Sequence, residues 1–303
     1  MSDDIAAARA ALQAIPQFKD CRGEIVRLGG MTNLVFRMGD FCLRIPGKGT
    51  EEYIDRANES VMAREAARAG VSPEVLYSDA ATGVMVTRFV AGAETMTPKS
   101  FSGRAGSPAR AGQVFRRLHD SGAVFPFRFE LFSMIDDYLK VLSGKDVALP
   151  EGYHEVVREA DQDVRAALAA HELPLAACHC DPLCENFLDT GERMWIVDWE
   201  YAGMNDPLWD LGDLSVEAGF DAAQEEEMMR AYFGGEPRPA EHGRVVIYKA
   251  MCDLLWTLWG LIQLANKNPA DDFRAYADTR FARCKALMET DGFARHLAAV
   301  RVG

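Results

Sequence analysis

The sequence lacks a hydrophobic run long enough to cross a lipid bilayer as a helix. Its longest strongly apolar stretch, Leu254 to Ala265, is shorter than the roughly 20 residues that a membrane-spanning helix needs. The N-terminal residues, with early acids at Asp3 and Asp4, also lack the apolar segment of a secretion signal. We therefore expect a cytoplasmic protein with no membrane insertion.

Basic residues are scarce relative to acidic ones. The chain has 33 lysines and arginines against 46 aspartates and glutamates, a formal net charge of −13 at pH 7. A nucleic-acid-binding surface needs clustered positive charge, so the composition argues against a nucleic-acid partner. It is compatible with a cationic ligand, although an ordinary acidic soluble protein carries similar charge.

The seven cysteines lack the paired C-x-x-C spacing that is typical of a structural zinc site. Their odd number and scattered positions favour reduced thiols. Cys178, Cys180 and Cys184 cluster around His179, so a metalloprotein that uses this cluster is one alternative. Buried apolar thiols are the favoured interpretation.

The first 90 or so residues predict a mostly antiparallel sheet accompanied by helices. Apolar spacing over the first 20 residues predicts one helix, and Arg56 to Ala69 predicts another that Gly70 ends. Turn residues at 29–30, 39–40 and 79–83 separate the strands. The predicted strands are Glu24 to Leu28, Leu34 to Met38, Phe41 to Ile45, Val75 to Tyr77 and Val84 to Phe89.

After Val90 the pattern becomes mostly helical, with a short β-like region from Phe187 to Val197. We predict an α+β fold with a small nucleotide-binding lobe over residues 1–91 and a larger catalytic and substrate-binding lobe over residues 92–303. A cleft between two such lobes is a common ligand site. The predicted helices are Gly112 to Leu118, Met134 to Val141, Glu155 to Ala170, Asp221 to Phe233, Arg244 to Ala265 and Asp271 to Leu297.

One segment carries residues suited to phosphoryl transfer. It contains His179, Asp181 and Asn186 in an H-x-D-x-x-x-x-N pattern, then a turn and an apolar strand that ends at Asp198. Asp181 would accept the proton of an acceptor hydroxyl as catalytic base, and His179 would brace the loop. Asn186 and Asp198 would supply oxygen ligands to Mg²⁺. The alternative is that the two aspartates only cap turns.

Residues upstream suit a nucleotide lobe. A glycine-rich turn between the first two strands contains Gly30, Thr32 and Asn33, which could approach a phosphate through backbone N–H groups and a hydroxyl. Arg44, in an apolar strand, could pair with ATP phosphates and with Glu59 on the following helix. An ordinary turn and a surface salt bridge are the alternatives.

The chain resembles the choline/ethanolamine kinase family, within the aminoglycoside phosphotransferase and protein-kinase-like superfamily. The resemblance spans Gly29 to Gln263. It implies a bilobal protein-kinase-like fold, ATP and Mg²⁺ as cofactors, and phosphorylation of an amino alcohol, with arginine normal at position 44. It rests on the segments GGMTNLVFRM, CLRIPG, NESVMAREA, HCDPLCENFL, IVDWEYAG, DPLWDLGDLSVEAG and LLWTLWGLIQ.

The acceptor site is predicted downstream. Trp256 and Trp259 are three residues apart on a helix and share a face, where paired indoles could enclose a quaternary ammonium. Spacing alone favours a core role, whereas the resemblance favours a ligand role. The resemblance also places Glu217 near the cationic headgroup. Asp213 and Glu217 are spaced to share a helical face, so either could supply the charge, and Phe220 could add a third aromatic wall.

We therefore predict an ATP-dependent kinase of a small cationic alcohol, with choline as the leading acceptor. Ethanolamine, an aminoglycoside and thiamine are alternatives within the same superfamily. A catalytically silent nucleotide-binding protein is the alternative from a different class. A homodimer is among the assembly states that the sequence allows.

Overall fold

The computed structural model describes residues 2–29, 33–47 and 54–303. Five antiparallel strands near the N-terminus form one sheet in the order β1-β2-β3-β5-β4. The second and third strands form a tight hairpin around Gly39, whose φ of 58° a glycine adopts without strain. The strands are β1 (Val26–Gly29), β2 (Leu34–Met38), β3 (Phe41–Ile45), β4 (Val75–Ser78) and β5 (Met85–Arg88).

Two helices flank this sheet. Helix α1 (Ser2–Ala14) shares a hydrophobic core with the sheet, in which Leu12 packs with Phe36 and Leu43. The predicted N-terminal helix was too long, because Pro16 disfavours helical geometry at the residue before it. Helix α2 (Arg56–Arg68) begins at Asp55, whose side chain accepts hydrogen bonds from two backbone amides of the first turn.

The strands of the larger lobe form two small sheets. Strands β6 (Glu94–Thr95), β8 (Phe187–Asp189) and β9 (Met194–Ile196) form one, and β7 (Ala176–Cys178) pairs with β10 (Gly203–Asn205) in the other. Since β6 already pairs with β8, the chain has entered the larger lobe by Glu94. This pairing supports our proposal of a lobe boundary at residues 91/92.

Helix α10 is the central helix of the larger lobe. It is long and apolar enough to cross a membrane, but 89% of its most apolar window is buried inside the protein, as in the core helix of a globular protein. It packs against α5, α8, α11 and α12. The helices of this lobe are α3 (Pro98–Gly103), α4 (Ser107–His119), α5 (Leu131–Leu142), α6 (Tyr153–Glu159), α7 (Arg165–Ala170), α8 (Leu208–Glu217), α9 (Ala222–Phe233), α10 (Pro239–Ala265), α11 (Phe273–Met288) and α12 (Asp291–Val302).

The α+β fold class is confirmed, but several helix predictions differ from the structure. The helix predicted from 271 to 297 is two helices, because Thr290 accepts a hydrogen bond from the amide of Phe293 and begins α12. The helix predicted from 155 to 170 contains a π-helical turn, Ala160–Val164, between α6 and α7. Helix α3 was not predicted, and α8 was predicted only in so far as Asp213 and Glu217 were placed on one helical face.

Candidate active site

The loop after β7 is held by one buried carboxylate. Asp210, on α8, accepts hydrogen bonds from the backbone amides of His179 and Cys180, both at 2.8 Å. Trp209 Nε1 donates to the carbonyl of Cys180 at 3.1 Å. Cys180 has a φ of 66°, a left-handed conformation that is uncommon for a residue other than glycine. These bonds fix the backbone immediately before Asp181.

His179 connects this loop to the segment that leads to Asp198. Its Nε2 donates to the carbonyl of Val197 at 2.9 Å, and the amide of Val197 donates to the carbonyl of Asn186 at 2.9 Å. Burial lowers the pKa of His179, so the imidazole is neutral at pH 7. The predicted loop residues Asn186 and Asp198 are therefore brought to the same end of the β8-β9 hairpin.

Asp181 is half-buried at the centre of an acidic region. Burial, and then the negative charges of Asp213, Glu217, Glu200 and Asp198, raise its pKa well above the usual range of an aspartate. Such a carboxyl group holds its proton more strongly than an exposed aspartate. A bound cation would lower the pKa again, so the state of Asp181 depends on what occupies the site.

Arg44 joins the two lobes at the cleft. Its Nη1 forms an ion pair with Glu59 and lies 2.8 Å from Asp198 Oδ1. Arg56 Nη1 lies 2.8 Å from Glu59 Oε2 and 3.2 Å from Glu200 Oε2. The predicted pairing of Arg44 with Glu59 is thus present in the structure. Arg56, which was not predicted, also pairs with Glu59.

Arg44 also has donors available for an anion. Among the described residues, its buried Nε and Nη2 atoms have no hydrogen-bond partner. Buried guanidinium donors are costly to leave unpaired, and phosphate oxygens are well suited to them. Asn33, at the start of β2, reaches towards the same place, with its Nδ2 3.4 Å from Asp198 Oδ2. Gly30 and Thr32, which we predicted at the phosphates, lie outside the described residues.

The oxygen donors at Asp198 fit a magnesium ion. Glu59, Asp198 and Glu200 each place a carboxylate oxygen within 4.8 Å of the others. Carboxylate and amide oxygens are the ligands that Mg²⁺ prefers. Burial and the charge of Asp198 raise the pKa of Glu200 to about 7, so a divalent cation would relieve the repulsion between these two carboxylates. Asn186 and Asp198 were predicted as metal ligands and Glu200 was not, although Glu200 lies in the IVDWEYAG segment.

The two predicted tryptophans lie near the acidic region. Trp256 Nε1 donates to Asp213 Oδ2 at 3.1 Å, and Trp259 Nε1 donates to the hydroxyl of Tyr201 at 3.0 Å. The ring of Tyr201 also packs edge-on against Trp256, with centroids 5.5 Å apart. The side chains of Asp213, Tyr201 and the two indoles therefore form one connected group beside Asp181.

Glu217 and Asp213 differ in how their charges are balanced. Glu217 forms an ion pair with Arg280, which also lies 3.2 Å from Asp253. Asp213 Oδ1 is buried with no hydrogen-bond partner among the described residues, and burial together with Glu217 raises the pKa of Asp213 well above its usual range. Asp213 therefore offers an incoming cation a buried carboxyl oxygen that has no hydrogen-bond partner among the described residues.

Two residues of α11 complete this region and were missed from the sequence. The guanidinium of Arg280 lies over the ring of Tyr276, 4.5 Å from its centroid, and both are buried or half-buried. Their i, i+4 spacing on a helix is the only local signal that they could act together. Phe220, by contrast, is buried and packs edge-on against Phe101 at 5.5 Å. Its role as a pocket wall stays a prediction.

The cysteine cluster has the environment of core thiols. Cys178 and Cys180 are fully buried, and burial followed by the nearby charge of Asp210 raises the pKa of both thiols. Cys178 lies with His119 and Asp210 in a group that could hold a metal, but His119 donates to Asp210 at 3.0 Å and accepts from Tyr232 at 2.9 Å. Metal ligation requires thiolate, which these surroundings disfavour.

Comparisons with known proteins identify the family of this chain. A profile of the phosphotransferase enzyme family matches residues 24–242. The crystal structure of a choline/ethanolamine kinase family protein from Mesorhizobium loti is 77% identical, with a TM-score of 0.92, and the match covers 99% of this chain and 100% of that one. The crystal structure of choline kinase LicA from Streptococcus pneumoniae is 25% identical, with a TM-score of 0.76 over 94% of this chain and 99% of that one.

A curated relative extends the comparison. Protein LicA of Haemophilus influenzae is 26% identical over 276 residues, which cover 86% of this chain and 79% of that protein. The family profile ends at residue 242, before Trp256 and Trp259. The two indoles therefore lie beyond the segment that the profile describes, whereas Tyr201, the loop of Asp181 and the hairpin that ends near Asp198 lie within it.

Proposed function

The chain belongs to the choline/ethanolamine kinase family, within the phosphotransferase enzyme family, and from this premise we propose that it transfers the γ-phosphoryl group of ATP to the hydroxyl of choline. It is a small-molecule kinase; the acceptor is the proposal. The observation that carries it is that two pairs of carboxylates act on Asp181. Asp198 and Glu200 contact Arg44 and Arg56 at the cleft, whereas Asp213 and Glu217 contact Trp256 and Arg280. The first pair suits metal and nucleotide, and the second suits a cationic acceptor.

In this proposal Asp181 accepts the proton of the acceptor hydroxyl. The hydroxyl oxygen forms a bond to the γ-phosphorus of ATP, the bond from that phosphorus to the β–γ bridging oxygen breaks, and ADP leaves. The cationic acceptor and the nucleotide bind on opposite sides of the aspartate. The bonds from Asp210 to the preceding amides keep the carboxylate of Asp181 oriented towards the hydroxyl.

Asn186 and Asp198 would hold Mg²⁺, with Glu200 as a further carboxylate. When bound, the ion neutralises phosphate charge. Arg44 would donate through Nε and Nη2 to the phosphates while Glu59 holds its Nη1. Arg44 would then orient the nucleotide without taking part in proton transfer.

Two contacts favour choline over ethanolamine. A quaternary ammonium offers no N–H donor and is attracted by aromatic faces, each contributing about 0.5–2 kcal/mol, whereas a primary ammonium needs hydrogen-bond acceptors. A primary ammonium has three N–H donors, whereas Glu217 already pairs with Arg280 and Asp213 keeps only Oδ1 without a partner among the described residues. The rings of Tyr201, Trp256 and Trp259 would surround the methylated headgroup.

The test is a series of acceptors that differ only in methylation. ADP release from Mg-ATP should be measured with ethanolamine, its N-methyl and N,N-dimethyl derivatives, and choline, with thiamine and kanamycin as unrelated acceptors. We expect kcat/KM to rise with each methyl group. A maximum at ethanolamine would overturn the choline assignment, and nucleotide binding without turnover on any acceptor would indicate a silent nucleotide-binding protein.

Asp181→Asn tests the proposed base. Loss of general base catalysis typically lowers turnover by about 10²–10⁴-fold, and we expect a fall of this size in kcat. ATP binding, measured by calorimetry, should change little, because Asp181 is assigned to the acceptor. Asp278→Asn, which changes an exposed aspartate paired with Arg274, is the matched control. Full activity of Asp181→Asn would mean that another group accepts the proton.

A further inference from the structure

A groove on a different face of the protein is lined by arginines. It encloses about 410 Å³ between α2, the loop from Gly70 to Val75 and strand β9. Its lining includes Arg64, Arg68 and Arg193, with Trp195 at its side. This concentration of positive charge is unusual in a chain with a net charge of −13.

A fourth arginine approaches the same place from α4. Arg193 Nη2 and Arg117 Nη1 lie 3.6 Å and 4.0 Å from the position that a Cβ on Gly70 would take. The two guanidinium groups are thus directed at the same small volume. Burial, and after it the positive charge of Arg117, lower the pKa of Arg193.

Carboxylates balance only part of this charge. Glu65 forms an ion pair with Arg68, and Glu74, which lines the groove, lies 3.0 Å from Arg88 instead. In the described part of the chain, Arg64, Arg117 and Arg193 form no ion pair with a carboxylate. Arg64 donates to Ser78 Oγ at 2.9 Å, and Arg193 donates to the carbonyl of Gly70.

The Trp195 ring fixes one of these groups. The guanidinium of Arg193 lies 3.7 Å from the ring centroid, so its plane is supported by stacking and its remaining donors are oriented. A rigid guanidinium fork matches the geometry of phosphate oxygens and loses little rotamer freedom on binding. A cavity of this volume is in the range of small-molecule sites.

We propose that this groove binds a small anion with two or more negative charges, of the phosphate type, between Arg64 and Arg68 of α2, Arg117 of α4 and Arg193, which directly precedes β9. The site is separate from the proposed nucleotide and acceptor sites, and the proposal does not depend on them. The loop that follows α2 is joined to β9, the strand that leads to Asp198, because the amide of Ile196 donates to the carbonyl of Val71 at 2.8 Å. A bound anion would add a second link between α2 and this strand.

The test is a titration with inorganic pyrophosphate, without Mg²⁺, observed at the tryptophans. The five tryptophans of the chain are labelled as 5-fluorotryptophan and observed by ¹⁹F NMR. The resonance that disappears in Trp195→Phe belongs to the tryptophan at the groove. We expect a saturable shift of the Trp195 resonance, weakened by added salt. Sodium chloride at matched ionic strength should not reproduce it.

Arg117→Gln and Arg116→Gln form a matched pair on α4. Arg116 lies next in sequence but pairs with Asp120. We expect Arg117→Gln to weaken pyrophosphate binding at least fivefold and Arg116→Gln to change it less than twofold. Equal effects of the two variants, or shifts only at the other tryptophans, would overturn the proposal. A thermal shift with pyrophosphate that is lost in Arg117→Gln and retained in Arg116→Gln provides a second measurement.

Discussion

Gly260 of α10 faces Tyr276 of α11 so closely that a Cβ at position 260 would lie 2.6 Å from the Cδ1 atom of the tyrosine ring. The ring also packs against Trp259, with centroids 5.7 Å apart. A glycine at this position therefore allows α11 to bring Tyr276 against the aromatic group of the proposed acceptor site.

The first prediction concerns this contact. Gly260→Ala should displace the Tyr276 ring, since contacts below 3.0 Å are not tolerated, and overpacking of this kind costs about 1–3 kcal/mol. We expect the KM for choline to rise much more than the KM for ATP. Gly292→Ala is the control, because a Cβ there makes only ordinary contact, 3.5 Å from Thr290 Oγ1. A parallel rise of both KM values would indicate a general loss of structure.

Local sequence signals predicted some elements closely. The strands Leu34–Met38 and Phe41–Ile45 were predicted with their observed bounds, because β-favouring residues flank a Gly39-Asp40 turn. The β-like region predicted between Phe187 and Val197 contains the observed strands Phe187–Asp189 and Met194–Ile196, because all its residues lie within one short segment. Arg44 and Glu59 were paired correctly because strand and helix follow each other in the chain.

Other parts of the site depend on tertiary packing and had no comparable signal. Tyr276 and Arg280 reach the acidic region only because α11 packs along α10, a relation that helical periodicity does not specify. Asp210 was also missed as a bracing residue, since its two acceptor bonds span about 30 residues of sequence. Local patterns predict elements, whereas these contacts follow from how the elements pack.

The second prediction concerns Asp210. In Asp210→Asn, one of the two backbone amides of His179 and Cys180 would face an NH₂ group, and an unsatisfied buried donor costs about 1–3 kcal/mol. We expect a loss of this size in the free energy of unfolding, measured with urea. We also expect kcat to fall about tenfold or more, because the orientation of Asp181 is disturbed, while the KM for ATP changes little.

A structural effect alone would give a different result for Asp210→Asn. If the variant lost stability but kept the kcat of the parent well below its melting temperature, Asp210 would not position Asp181. Glu130→Gln offers a comparison, because Glu130 caps α5 through the amide of Ser133, at 2.7 Å, away from the loop. It should lower stability without lowering kcat.

The third prediction concerns Arg44. The substitution Arg44→Lys keeps the positive charge, but a lysine cannot contact Glu59, Asp198 and a phosphate at once. Loss of a charge-assisted hydrogen bond costs about 1.5–3 kcal/mol, and we expect the KM for ATP to rise about tenfold or more. Arg37→Lys on the adjacent strand β2, where the side chain is exposed, is the control. An unchanged KM for ATP would remove Arg44 from the proposed nucleotide site.

The fourth prediction concerns the pH dependence of stability at Glu200. Its pKa is raised from 4.5 to about 7 by burial and by Asp198, so the folded protein binds the proton more tightly than the unfolded chain. The stability that this proton contributes is present in full below pH 4.5 and is lost as the pH rises through 7. Glu200→Gln cannot titrate and should lack this loss.

The measurement is the free energy of urea unfolding of both proteins between pH 5 and 8, with EDTA to remove divalent cations. The stability of the parent minus that of Glu200→Gln should fall with rising pH, by at most about 1.4 kcal/mol per pH unit for one group. Glu226→Gln, at an exposed site paired with Arg230, controls for the loss of one charge. A difference that rises with pH would mean that Arg56 and Arg44 stabilise the ionised form, so that Asp198 and Glu200 are already compensated without a metal.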